Sequence, residues 1–62
     1  MLTDKDILGL CPGDILYNTT GSYSYSGLTD GTCFWFYDME EEDPEEPAVM
    51  LTKSQIRQMH KI

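Results

Sequence analysis

A small α+β domain is what this sequence predicts, with a three- to four-stranded antiparallel sheet or a partly open SH3-like barrel, a short N-terminal helix and a C-terminal helix. Three observations carry that expectation. Thr3 followed by Asp6, and Thr52 followed by Gln55, have the spacing of a helix-starting capping box near each end of the chain. Between them, short runs of aromatic and β-branched residues are separated by Gly, Pro, Asn and Asp. The 62 residues suffice for one domain, 1–62, and 40% hydrophobic residues with seven aromatic rings are too many for a wholly disordered chain.

The first helix is expected over about Thr3 to Cys11, with Asp4 and Asp6 in its first turn and Pro12-Gly13 ending it. Ile7, Leu8 and Cys11 then share the face that lies on the core. Asp14 to Asn18 reads as a strand. Ser22 to Ser26 alternates strictly, which places Tyr23 and Tyr25 on one face and three serines on a wet one. Asp30-Gly31 signals a hairpin turn. Thr32 to Tyr37 is the most strand-like segment, with Cys33, Trp35 and Tyr37 on one face and Phe34 and Phe36 on the other. Both faces are apolar, so it is expected to be the central strand, covered on each side. Ala48 to Leu51 is a further short strand, and the last helix is expected from Thr52 to about Lys61 with Ile56 and Met59 facing inward.

Compartment follows from composition. The N-terminal residues lack the basic start and apolar run of a secretory signal, and no stretch approaches the length of a membrane span, so a cytoplasmic location away from membranes is expected. Two cysteines, Cys11 and Cys33, are fewer than small secreted scaffolds carry, and are read as free, mostly buried thiols.

The net charge of -7 is concentrated. Seven of the eleven acids, Asp38, Glu40, Glu41, Glu42, Asp43, Glu45 and Glu46, fall in one segment without a base, read as a loop over 38–47. Extended at about 3.3 Å per residue, such a run presents one charge per roughly 4 Å. That is near the charge spacing of one nucleic-acid strand, about 3.4 Å, so the loop can imitate phosphates for a protein with a basic groove. The plainer reading is a solvated, self-repelling surface loop. Calcium fits poorly, because the EF-hand positions that require Gly and Glu hold Asp43 and Val49. No metal or other cofactor is expected.

Lys53, Arg57 and Lys61, at four-residue spacing, are expected to line one face of the last helix beside His60, favouring its dipole and answering the acidic loop. Direct contact with nucleic acid is disfavoured by the net charge. Catalysis lacks parts: His60 is the only histidine, and neither Cys11 nor Cys33 has an orienting third group or oxyanion motif in sequence. Phosphate-binding glycine loops and Cys-x-x-Cys zinc spacing are absent. No enzymatic activity is expected.

These observations lead to a protein-binding module that inhibits or modulates a larger, basic-surfaced protein, one that handles nucleic acid. The acids steer the encounter and compete with phosphates, while Tyr23, Tyr25 and Trp35 supply buried contact area. In size and charge the chain is similar to the small acidic inhibitors that bacteriophages make against host polymerases, nucleases and defence systems. The alternative is a structural or assembly module that self-associates, as a homodimer for example, or docks on a larger complex, with the acidic loop merely solvated.

Overall fold

The computed structural model describes residues 2–43 and 45–62; Met1, and Pro44 within the acidic segment, lie outside the described residues. Helix α1 spans Asp4–Leu8, followed by strands β1 (Ile15–Asn18), β2 (Gly21–Asp30), β3 (Cys33–Asp38) and β4 (Val49–Thr52). Helix α2 (Lys53–Arg57) and strand β5 (His60–Lys61) complete the chain. All strand pairs are antiparallel, in the order β4-β3-β2-β1-β5, and the sheet is open, with β4 at one edge and β5 at the other. The expected α+β class is what forms, with five strands among the described residues.

Both helix starts form as reciprocal capping boxes. The Thr3 hydroxyl accepts from the Asp6 N–H while Asp6 accepts from the Thr3 N–H, and Thr52 and Gln55 repeat the arrangement. Each helix is only five residues long, too short to persist without burial against the sheet. They supply Ile7 and Ile56 to a core that also holds Leu16, Tyr25, Phe34, Phe36 and Met59. Of the residues expected on the core, α1 contributes Ile7 alone: Leu8 is exposed because it is turned about 100° round the helix from Ile7, and Cys11 because the helix stops at Gly9 before reaching it. Both cysteines are free, but neither is buried, Cys33 being half-exposed on β3.

The last helix ends earlier than its sequence suggests. After the Gln58 cap the chain turns Met59 into the core, 1% exposed, and then extends. His60 pairs with Tyr17 and Lys61 with Leu16, so the segment expected as helix to Lys61 ends instead as a fifth strand on the free edge of β1. Lys53, Arg57 and Lys61 therefore do not share a helical face.

β2, not β3, is the middle strand of the sheet. It runs on to Asp30, ten residues, through an irregularity between Tyr25 and Thr29 where its pairing with β3 shifts. Gly31, at φ 60°, then starts the two-residue turn to β3, the hairpin that Asp30-Gly31 signals. Both helices pack on the face that carries Phe34 and Phe36. The molecule is accordingly thin, 16 Å in its shortest dimension, the depth of one sheet and one helical layer. The opposite face, with Cys33, Trp35 and Tyr37, is not covered as expected but half-exposed.

Candidate protein-interaction surface

Strand register assembles this outer face. Tyr17 stands opposite His60 on β5 and Ser22 on β2; Ile15 is opposite Ser24, Ser24 is opposite Tyr37, and Trp35 is opposite Met50 on β4. The result is a band of aromatic and aliphatic side chains across the sheet, from Tyr17, whose ring centroid is 5.3 Å from that of His60, to Met50, which is 52% exposed. The serines of β2 lie along its middle, half-buried rather than fully wet, because the larger neighbours on β1 and β3 overhang them.

At the β3 end of this band the β2 irregularity places a second apolar group. Ser26 Oγ donates to the Trp35 carbonyl at 2.7 Å and accepts from the Leu28 N–H at 3.2 Å, so the distorted stretch is pinned to β3 and Leu28 is left 58% exposed. Gly27 makes the bend possible at φ 91°, with the Pro12 ring packed where its side chain would be. Leu28, Thr29 and Asp30 of β2, Trp35 of β3, and Glu46 and Pro47 line an open cleft of about 480 Å³.

The acidic segment leaves β3 by a tight turn and not by extension. The Met39 N–H bonds to the Ser22 carbonyl, the Glu40 N–H to Asp38 Oδ1 at 3.0 Å, and the Glu41 N–H to the Asp38 carbonyl at 3.1 Å. Asp38 is thus the turn's own acceptor, and no evenly spaced ladder of charge forms over Asp38 to Glu41. Glu40 reaches back over Gly21. Glu41, Asp43, Glu45 and Glu46 instead ring a concavity of about 300 Å³, and Glu42 is exposed beside it. Glu41 also borders a cleft with Ser24, Tyr37 and Met39, so the acids meet the apolar band along one side.

The cations expected to answer these acids are engaged elsewhere. Arg57 pairs with Asp4 in α1 and Lys61 Nζ lies 3.4 Å from Asp14. Asp14 also accepts from the Cys11 N–H at 2.8 Å, and this bond, with Lys61 beside it, holds its carboxyl below the ordinary aspartate value. Among the described residues no acid of the 38–46 segment is in an ion pair. Nor, among them, do three or more His, Cys, Asp or Glu side chains converge as a metal would require.

The aromatic anchors expected from β2 are on the wrong side of the sheet. Tyr25 is 6% exposed, packed on Phe34 and Phe36 with its hydroxyl 2.6 Å from Thr29 Oγ1, and Tyr23 is half-buried against the same core. Alternation put the two tyrosines on one face as expected, but that face is the inner one. Of the three rings, Trp35 alone lies on the outer face, in a cleft it shares with Glu46, while Tyr23 meets the acidic segment on the inner face, opposite Asp38. The outer face adds Tyr37 and Met50, which alternation along β3 and β4 makes legible once that face is known to be bare, and Leu28 and Asp30, whose place follows from the register shift in β2.

The chain matches no protein-family model, no curated protein and no solved structure with which it was compared. No helix among the described residues is long and apolar enough to cross a membrane.

Proposed function

We propose that the protein is a small acidic binding module that engages a larger, basic-surfaced protein, one that handles nucleic acid, and modulates or inhibits it by occupying the surface meant for phosphates. The observation that supports this reading most directly is the placement of the unpaired acids Glu41 and Glu46 against the half-exposed outer face carrying Trp35 and Tyr37. Charge gives steering and register, while desolvated aromatic area gives residence time. The imitation of phosphate is by a ring of acids at the loop rather than by a linear ladder. Size and acidity suit a phage-type inhibitor, with anti-defence proteins among its kind. Binding, not catalysis, is the activity proposed, and it takes place in the cytoplasm.

The test is capture from bacterial lysate by the intact protein and by a variant with Glu40, Glu41, Glu42, Glu45 and Glu46 changed to Gln and Asp43 to Asn. A nucleic-acid-handling protein retained by the intact form alone and released by salt supports the reading. Equal capture by both forms removes the acids from the mechanism.

A second reading is favoured by one feature, the apolar band from Tyr17 to Met50, which suits self-association or docking on a larger assembly. It predicts a concentration-dependent dimer in sedimentation that is indifferent to salt.

A further inference from the structure

We infer that the cleft over Trp35 is a receptor for an arginine side chain of the partner. This rests on the proposed reading of the protein as a binder of basic proteins, and it names the group that anchors such a partner. Trp35, half-buried, lines the cleft, and indole is the aromatic ring that attracts a cation best. Asp30, at the end of β2, and Glu46, at the end of the acidic segment, stand on the flanks, and among the described residues neither is in an ion pair. Among the described residues no Lys, Arg or His lines the cleft. Leu28 and Pro47 supply apolar walls for the methylene stem of a long cationic side chain.

Arginine suits this site better than lysine. A planar guanidinium stacks on an indole while its edge N–H groups donate to carboxylates, and it sheds water more readily than an ammonium. The backbone beneath the cleft is in place before the guest arrives, because the Ser26 Oγ bond to the Trp35 carbonyl ties β3 to the bulge and the Trp35–Met50 pairing ties it to β4, so binding has only side chains to order. Glu46 belongs both to this cleft and to the neighbouring acid ring, which places the cleft beside the densest negative charge of the chain. A second copy is a poor donor, because the chain's only arginine, Arg57, is tied to Asp4.

The experiment is a titration of ¹⁵N-labelled protein at low ionic strength with hexa-arginine, hexa-lysine and uncharged hexa-citrulline, following the Trp35 indole N–H and the amides of Leu28, Asp30 and Glu46. The expected result is saturable shifts at these four positions with hexa-arginine, binding at least threefold weaker with hexa-lysine, and no shift with hexa-citrulline. D30N and E46Q, both exposed and not expected to disturb folding, each weaken hexa-arginine binding by roughly threefold and together by about tenfold. Shifts confined to Glu40 through Glu45 with Trp35 unmoved overturn the cleft while leaving the acidic loop as a binder of cations. Equal affinity for lysine and arginine overturns guanidinium recognition. No saturable shift with either cation at low salt removes the cleft and the proposed function together.

Discussion

Arg57 in α2 holds Asp4 in α1: its Nε donates to the aspartate Oδ1 at 3.0 Å and its Nη2 donates to the same oxygen. The Leu2 N–H also bonds to the Arg57 carbonyl, at 3.2 Å, so the two short helices are tied to each other over the core they cover. This pairing takes the arginine out of any dialogue with the acidic segment. Because both partners are solvent-exposed, Arg57→Gln is expected to cost less than about 1 kcal/mol in urea unfolding, and less still in high salt. Capture of a basic partner is expected to be unchanged or slightly stronger, which binding assays on the variant check.

Gly27 and Gly31 both have positive φ but differ in their surroundings. A Cβ at Gly27 would lie 2.7 Å from Pro12 Cγ, whereas one at Gly31 would have nothing within 4 Å. Gly31→Ala carries only the conformational penalty, about 1 kcal/mol. Gly27→Ala adds a collision with a rigid ring and is expected to cost about 2 kcal/mol or more. Combining it with Pro12→Ala recovers part of the loss, and thermal melts of the parent, Gly27→Ala, Pro12→Ala and the double variant report the coupling.

Acid stability has two identifiable anchors. The Asp6 carboxyl accepts from the Thr3 N–H and hydroxyl, and the Asp14 carboxyl from the Cys11 N–H with Lys61 nearby; these bonds hold both below the ordinary value of 3.8. The native state therefore prefers these carboxylates more strongly than the unfolded chain does. Their stabilisation is fully present above the ordinary value and is lost as pH falls through it toward the lower native values. The double variant D6N/D14N should be less stable than the parent near neutrality, with the difference closing in acid. Urea midpoints followed by Trp35 fluorescence from about pH 6 down to about pH 2 measure it.

Much of this fold is legible in the sequence because local chemistry and tertiary demand agree. The capping boxes at Thr3 and Thr52, the Asp30-Gly31 turn and the alternation of Phe34 and Phe36 each specify one outcome. What escapes is decided at a distance. β5 is two residues long and exists only because β1 offers a free edge to His60 and Lys61. Period-two alternation groups Tyr23 with Tyr25 and Trp35 with Tyr37, but cannot say which face the helices cover. Their covering the Phe34 face buries Tyr25 and leaves Trp35 and Tyr37 as the rings on the bare face beside the acids.

Met50 separates stability from binding. Its side chain stands on the bare face opposite Trp35, so Met50→Lys is expected to change unfolding free energy by no more than about 0.5 kcal/mol. The same substitution sets a cation beside the Trp35 cleft and should weaken capture of a basic partner severalfold. If the face instead joins two copies of the chain, the variant becomes monomeric in sedimentation while salt-sensitive capture is absent in both forms.

The most direct test of phosphate competition is elution. Bacterial proteins bound to DNA-cellulose at low salt are washed with the intact protein, with the six-acid Gln/Asn variant, and with buffer. Competition for phosphate-binding surfaces predicts that the intact protein releases a distinct nucleic-acid-binding protein that neither the variant nor buffer releases. Release of the same proteins by the intact and neutralised forms, or by neither, contradicts it.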